Sequence, residues 1–187
     1  MSLRVASCPA IARFLLVPAL PLLRARAPHV DLELAMTTEE EQSTWSTHYD
    51  AVVWYGFRPN LPSRAQVLWA GNSVSYASPW VRLRSDLPQI CWSAGEVAAT
   101  TRGAGRQLVA CDLAVALEMA AGGAGFVACP AEIGAAYVDA GRLVPVSASV
   151  ADPRALYLIR GSEGESKSSQ ELTQWLMHSL KAACRSS

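Results

Sequence analysis

Three short segments bring polar side chains to points where an apolar run, typical of a strand, gives way to a helix. They are Ser7-Cys8-Pro9, Cys111-Asp112 and Cys129-Pro130. Hydroxyl, thiol and carboxylate groups at such junctions can contact a small molecule, and backbone N–H groups at a helix start favour an anion. Open α/β sheets bind ligands at the carboxyl ends of their strands, so these junctions are the first candidates for a binding site. Capping of the helix is the simpler alternative.

The pattern around two of these junctions predicts a βαβ unit. Residues 108–110 form an apolar run typical of a buried strand, and Asp112 stands where an N-cap would begin a helix. Gly122 and Gly123 end that helix, and a second strand follows at 126–128. A further short helix and a third strand complete the stretch. This order is typical of a parallel sheet covered by helices.

The N-terminal part of the chain follows the same alternation of strands and helices. Residues 3–7 predict a strand, and Pro9 stands at the first position of a helix that Pro18 and Pro21 must kink or divide. Residues 30–36 alternate apolar and polar side chains, as a strand does. A loop with a short helix comes next, and then a buried strand that ends in a glycine turn.

The composition of the chain limits the classes of protein to which it can belong. The 187 residues suffice for one good core or for two small lobes, and 16 basic against 16 acidic side chains leave no net charge. The sequence therefore lacks the excess of basic side chains with which a nucleic-acid-binding protein contacts phosphates. Five widely spaced cysteines, without a Cys-x-x-Cys or a Cys–His cluster, argue against a zinc site or a disulfide framework. Reduced thiols are typical of the cytoplasm.

The sequence gives little support for an enzyme or for an exported protein. The three histidines lie in a predicted turn, a loop and an exposed helix, no nucleophile elbow occurs, and Glu39-Glu40-Glu41 is typical of a solvated helix start. The N-terminus has the outline of a secretory signal, but Cys8 comes too early and Arg13 interrupts the apolar run. We therefore expect a cytoplasmic protein that is not an enzyme and holds no cofactor or metal.

The order of these elements resembles the effector-binding domain of LysR-type transcriptional regulators. The segment LRVASCPAIARFLLVPALPLLRARAPHVDLEL is similar to the start of that domain, including its P.LP.FRARHP element. DAVVWYG resembles the family's DVAIRYG, with Trp54 in place of the usual basic residue, and GRLV and ALYLIR resemble further family segments. The resemblance covers almost the whole chain, whereas the family's N-terminal winged helix-turn-helix finds no counterpart in it.

The resemblance implies an α/β protein with the two-lobed type 2 periplasmic-binding-protein-like fold. Lobe one would comprise residues 1–71 and 148–187, and lobe two residues 72–147. After Leu87 the chain departs from the family pattern, because ICWSAGEVAATTRGAG stands where a strand, a helix and a loop are usual. We therefore expect a shortened second lobe.

The function implied by the resemblance is small-molecule effector sensing and dimerisation for a transcriptional regulator whose DNA-binding domain is not in this chain. Thr37 and Thr38 match hydroxyl residues of the family's pocket, and Tyr157 matches its YYL tyrosine. Trp54 and Tyr55 are expected either to close over a ligand as an aromatic pair or to belong to the core. The full expected effector-binding set is Ser7, Cys8, Thr37, Thr38, Trp54, Tyr55, Ser78, Cys111, Asp112, Cys129 and Tyr157.

Partners follow from the same resemblance. We expect a small-molecule effector, anionic if the helix starts bind it, and a homodimer or a pairing with a full-length relative. Direct contact with nucleic acid or with a membrane is not expected. Two alternatives stay open: a ligand-free stand-alone dimerisation module, and an exported solute-binding protein that would be cleaved near Ala27.

Overall fold

The chain divides into two compact units, each with its own β-sheet. The structure is a computed structural model, and it describes residues 2–26, 28–38, 41–57, 61–62, 65–92, 106–161 and 174. The first unit comprises Met1–Ala70 and Pro153–Ser187, and the second comprises Gly71–Asp152. Strands and helices occur in both units, so the predicted mixed α/β class is confirmed.

Eleven strands run through the described residues. They are β1 (Ser2–Ser7), β2 (Asp31–Met36), β3 (Ala51–Phe57), β4 (Gln66–Trp69), β5 (Asn72–Ala77), β6 (Gln89–Cys91), β7 (Gln107–Val109), β8 (Phe126–Pro130), β9 (Val144–Pro145), β10 (Val150–Ala151) and β11 (Arg154–Arg160). The helices of the same residues are α1 (Pro9–Ile11), α2 (Val17–Arg26), α3 (Trp45–His48), α4 (Leu113–Ala121) and α5 (Ala131–Asp139).

The sheet of the first unit has five strands in the order β2-β1-β3-β11-β4. β1 pairs in parallel with β2 and β3, whereas β11 pairs antiparallel with β3 and β4. β3 does not end in the predicted glycine turn, because Gly56 and Phe57 both pair with β11 and extend the strand. β11 joins this sheet only after the chain has passed through residues 71–152, so the first unit is discontinuous in sequence.

The helical segment after β1 is divided, as its prolines predict. Pro9 occupies the first turn of α1, and a π-helical turn at Ala12–Leu16 separates α1 from α2. The N–H of Val17 donates to the carbonyl of Ala12, five residues back. Pro18 brings no N–H and its ring crowds the preceding turn, so a wider π turn is a favourable way to accommodate it.

The sheet of the second unit runs β10-β5-β8-β6-β7, with β9 beside β5. β6 pairs in parallel with β7 and β8, so α4 crosses over from one parallel strand to another, as predicted. The prediction that residues 108–110 are buried is wrong for Val109, whereas Leu108 is half-buried and Ala110 is buried. β7 lies at the sheet edge, where Val109 is 67% exposed.

Helix α4 begins and ends as the sequence indicates, whereas Pro130, predicted early in α5, is the last residue of β8. The carboxylate of Asp112 caps α4 by accepting the N–H of Val115 at 2.9 Å, and Gly123 after its end has φ +83°. The two helices are linked by Glu118, which accepts from the Tyr137 hydroxyl at 2.7 Å and pairs with Arg142 at 2.6 Å. These contacts fix the packing of α5 on the crossover helix.

Two predictions lie outside the described residues. The helical spacing of Leu172, Trp175, Leu176 and Leu180 predicts a final helix, which falls beyond the described ranges. Most of the stretch from which a shortened second lobe was inferred also falls outside them. Both stay predictions. Within the described ranges, no helix has the length and apolar character needed to cross a membrane.

Candidate functional site

A hydrogen-bond network lies at the carboxyl ends of β1 and β2. The indole N–H of Trp45 donates to Thr37 Oγ1 at 2.7 Å, and that hydroxyl donates in turn to Glu41 Oε2 at 2.8 Å. Trp45 is 1% exposed and Thr37 is 4% exposed, so the chain of bonds begins inside the protein. Glu41 lies at the surface and also accepts the N–H of Thr38 at 3.1 Å.

Ser7 joins this network through the backbone. Its carbonyl accepts the N–H of Thr37 at 3.1 Å, and its buried hydroxyl donates to the carbonyl of Val53 at 2.7 Å. Cys8 follows at the start of α1, half-buried, and its carbonyl accepts the N–H of Ala12 at 3.0 Å. The structure thus brings Ser7, Cys8, Thr37 and Thr38 to the same edge of the sheet.

Trp54 and Tyr157 lie beside the same network. They face each other across β3 and β11, and the Trp54 ring centroid is 4.9 Å from that of Trp45. Tyr157 and Trp45 are buried in one hydrophobic cluster, and Trp54 packs against it half-buried. Two of the expected site residues, Thr37 and Trp54, therefore contact Trp45, and a third, Tyr157, belongs to the same cluster.

Tyr55 lies on the opposite face of β3, because side chains alternate along a strand. Trp54 and Tyr55 therefore cannot close over one ligand as a pair, and that part of the expectation is wrong. The buried Tyr55 ring lies 5.3 Å from the guanidinium carbon of Arg154, which is also 6.0 Å from the Phe57 ring. Sequence reasoning missed this buried arginine, since the contact joins residues about a hundred positions apart.

The expected residues of the second unit lie at the ends of its strands. Ser78 is buried directly after β5, at the edge of the sheet opposite to Cys129-Pro130, because β5 is antiparallel to β8. Cys129 is buried within β8. Cys111 is exposed beside Asp112, whose carboxylate is used to cap α4. β7 and β8 are both parallel to β6, so the Cys111-Asp112 and Cys129-Pro130 junctions share the carboxyl edge of the sheet, as predicted.

A half-buried acidic group, Glu132, lies in the first turn of α5. Burial raises the pKa of its carboxyl, and the buried Oε2 has no hydrogen-bond partner among the described residues. Tyr76 packs against the same turn, where a Cβ at Gly134 would come within 2.3 Å of the ring. Burial, followed by the nearby Cys129 and Glu132, raises the pKa of Tyr76 to about 12. The phenol is therefore neutral at physiological pH.

The described residues form no metal-binding cluster and no disulfide with one another. No group of three or more His, Cys, Asp or Glu side chains in the described ranges is placed to hold a metal ion. Cys8, Cys91, Cys111 and Cys129 form no disulfide with one another. The arrangement at the β1 and β2 ends consists of hydroxyl, thiol, carboxylate and aromatic groups.

Comparison with known proteins identifies the family. The model of the LysR substrate binding domain matches residues 1–183, nearly the full chain. No curated protein sequence matches.

Several solved structures match this chain over nearly the full length of both chains. The effector-binding domain of AmpR from Citrobacter freundii is 19% identical, with a TM-score of 0.78 over 97% of this chain and 98% of that chain. The effector domain of AmpR of Pseudomonas aeruginosa is 21% identical, with a TM-score of 0.81 over 99% and 97%. The regulatory domain of CrgA, a LysR-type transcriptional regulator from Neisseria meningitidis, is 16% identical, with a TM-score of 0.77 over 96% and 98%. At these identities the likeness establishes the two-lobed fold.

The network around Thr37 predicts a difference between two neighbouring threonines. Thr37→Val removes the acceptor of the buried Trp45 N–H, so we expect the free energy of unfolding to fall by about 1–3 kcal/mol. Thr38→Val, at an exposed position, is the matched control and should stay within about 0.5 kcal/mol of the wild type. Urea unfolding followed by circular dichroism measures both. Equal losses in the two variants would contradict the structural role of the Thr37 hydroxyl.

Glu132 predicts a pH dependence of stability. Because burial raises its pKa in the folded protein above the ordinary value of 4.5, the folded state binds the proton more tightly than the unfolded state. This contribution is fully present below pH 4.5 and is lost as pH rises through the folded pKa.

Glu132→Gln should therefore raise the melting temperature at pH 7 and flatten this part of the pH profile. Asp139→Asn, which removes an exposed carboxylate from the same helix, should keep the wild-type slope. Melting temperatures from pH 4 to pH 8 provide the test. A wild-type slope in Glu132→Gln would show that this carboxyl does not carry the effect.

Proposed function

The chain belongs to the LysR substrate-binding domain family, whose solved relatives are effector-sensing regulatory domains of transcriptional regulators, and from this premise we propose which of its residues bind the effector. The proposed contacts in the first unit are Ser7, Cys8, Thr37, Thr38, Trp54 and Tyr157. Those in the second are Cys111, Asp112 and Cys129, at the carboxyl ends of β7 and β8. Ser78 stays in the proposed set only as a separate contact, because β5 is antiparallel to β8 and ends at the opposite edge of the sheet. Tyr55 stays in the proposed set only as a separate contact, since it does not share a face with Trp54.

One observation supports this proposal most strongly. The Trp45–Thr37–Glu41 network holds Thr37 and Thr38 at the carboxyl ends of β1 and β2, next to Trp54 and Tyr157. Carboxyl ends of parallel strands are the usual place for ligands in α/β proteins. The fixed hydroxyl and aromatic groups provide polar contacts and apolar area in one place, which is the composition of small-molecule sites.

The task of the domain is reversible binding rather than catalysis, and we place it in the cytoplasm. Binding would act on transcription by shifting the population of regulator conformations. A ligand shifts such an equilibrium only by its difference in affinity for the two states, so the contacts above must differ between them.

Pairing of two chains forms the second part of the proposal. The first helix and a helix of the second lobe are the usual dimer surfaces of the family that this sequence resembles. In this chain α2 exposes Val17 at 49% and Leu22 at 61%, while α4 and α5 expose Val115 and Val138. Apolar side chains on the outer faces of these helices support a homodimer or pairing with a full-length relative.

Effector binding predicts ligand-dependent thermal stability. At a concentration one hundred times its Kd, an effector should add about 2.7 kcal/mol, a rise in melting temperature of several degrees. We would screen amino acids, aromatic acids, dicarboxylic acids and cell-wall peptides by thermal unfolding. Thr38→Val, whose unliganded stability should match the wild type, should reduce the response to a ligand that contacts this edge. No response to any class, with a cooperative transition and a dimer in solution, would favour the ligand-free pairing module.

Pairing through α2 predicts a loss of self-association on introducing a charge. Leu22→Asp places a carboxylate on the exposed apolar surface and should shift the protein towards monomer, because burying an unpaired charge is costly. Arg24→Asp, at a neighbouring exposed position of the same helix, controls for an acidic substitution in α2. Sedimentation velocity across a hundredfold range of concentration measures the change. A dimer of unchanged affinity in Leu22→Asp would exclude this surface.

A further inference from the structure

The indole N–H of Trp54 is a hydrogen-bond donor that the described residues leave unused. Trp45 donates its indole N–H to the hydroxyl of Thr37 at 2.7 Å. Trp92 donates its own to the carbonyl of Ala128 at 3.0 Å. None of the described residues accepts the N–H of Trp54, whose half-buried side chain keeps this nitrogen in contact with solvent. A tryptophan that packs on a core usually pairs its N–H, so this donor is available to a ligand.

Gly56 determines where that donor lies. Trp54 and Gly56 share one face of β3, because side chains alternate along a strand. A Cβ at Gly56 would come within 2.9 Å of the indole nitrogen and 3.2 Å of its neighbour Cδ1. The indole therefore lies along the strand and over the glycine, towards the carboxyl end of β3. Glycine inside a strand often marks such a close approach.

The donor lies beside polar and aromatic groups of the proposed site. The Trp54 ring centroid is 4.9 Å from that of Trp45, with the two planes tilted by 49°. Trp45 in turn binds the Thr37 hydroxyl, and Tyr157 pairs with Trp54 across β3 and β11. An N–H donor at the rim of a half-buried aromatic ring suits a planar group that carries an oxygen acceptor. The plane packs on the ring, and the oxygen accepts the N–H.

We infer that Trp54 donates its indole N–H to an sp² oxygen of the effector, in a carbonyl group conjugated to a flat ring, and that Gly56 is the residue that positions this donor. The inference rests on the proposed function, since it names the chemistry of the ligand at the same site. A carboxylate and an amide share this chemistry. The carboxylate gains more, because a hydrogen bond to a charged acceptor is stronger than one to a neutral acceptor.

Four compounds separate the acceptor oxygen from the flat ring. Benzoate and benzamide carry both, cyclohexanecarboxylate keeps the carboxylate without the flat ring, and benzylammonium keeps the ring without an acceptor. Each is titrated into the wild type, Trp54→Phe, Gly56→Ala and the variant that combines the two substitutions. Trp80→Phe, which removes an indole N–H from a side chain 92% exposed in the other unit, is the matched control.

Two-dimensional NMR spectra of the indole N–H groups follow the binding. The signal that disappears in Trp54→Phe belongs to Trp54, and the signal of Trp45, whose N–H is bound to Thr37, serves as the internal reference. Melting temperatures of all variants verify that each is folded.

Benzoate or benzamide should move the Trp54 signal downfield and bind the wild type about tenfold more tightly than Trp54→Phe, as the loss of one hydrogen bond predicts. Gly56→Ala should weaken binding to a similar degree, because its methyl group displaces the indole, and should add nothing in the Trp54→Phe background. Trp80→Phe should bind as the wild type does. Cyclohexanecarboxylate and benzylammonium should bind more weakly than benzoate.

Binding that is unchanged in Trp54→Phe would overturn the inference and leave the proposed function standing. Binding of benzylammonium or cyclohexanecarboxylate as tight as that of benzoate would do the same, and so would a loss from Gly56→Ala that persists in the Trp54→Phe background. Absence of binding by both benzoate and benzamide would also overturn it, and a failure of the whole effector screen would overturn both the inference and the proposed function.

Discussion

The buried indole N–H of Trp45 is the group on which the first unit depends. A donor taken out of water must find an acceptor inside the protein, or it costs as much as a lost hydrogen bond. Thr37 supplies that acceptor, and its own N–H is bound to the carbonyl of Ser7. One aromatic side chain thus ties the end of β2 to the end of β1, while its ring packs against Trp54 and the cluster that contains Tyr157. Thr37, one of the proposed contacts, is therefore held in place by the core beneath it.

Local patterns were sufficient to predict much of the fold. The Asp112 cap, the glycines after α4, the proline at the start of α1 and the division of that helical segment are each set by the chemistry of one or two residues, which is why the sequence predicts them. The family resemblance supplied the order of lobes, which no local pattern contains. The three-residue strand β6 was missed, because so short a run has no periodicity to recognise.

The site was predicted less completely, because its contacts are made between distant parts of the chain. Apolarity suggested that residues 108–110 are buried, but only the strand order shows that β7 is an edge. Trp54 and Tyr55 are adjacent in sequence, and the pleat of β3 sends them to opposite faces. Glu41 stood within an acidic run that is typical of a solvated helix start. Its hydrogen bond to the hydroxyl of Thr37 gives it a specific place in the network, which charge patterning cannot reveal.

The π turn between α1 and α2 also determines the rotational phase of α2. A π turn is equivalent to one extra residue inserted into a regular α-helix, and one residue corresponds to a rotation of about 100° around the helix axis. Regular α-helical winding of the same residues would turn every later side chain by that angle and would move Val17 and Leu22 off the outward side. The wider π turn takes up the extra residue instead, so deleting a single residue within Ala12–Leu16 would give a continuous α-helix whose later side chains keep their present faces. Homologues that are shorter by one residue in this turn are thus expected to present the same face of α2 to solvent.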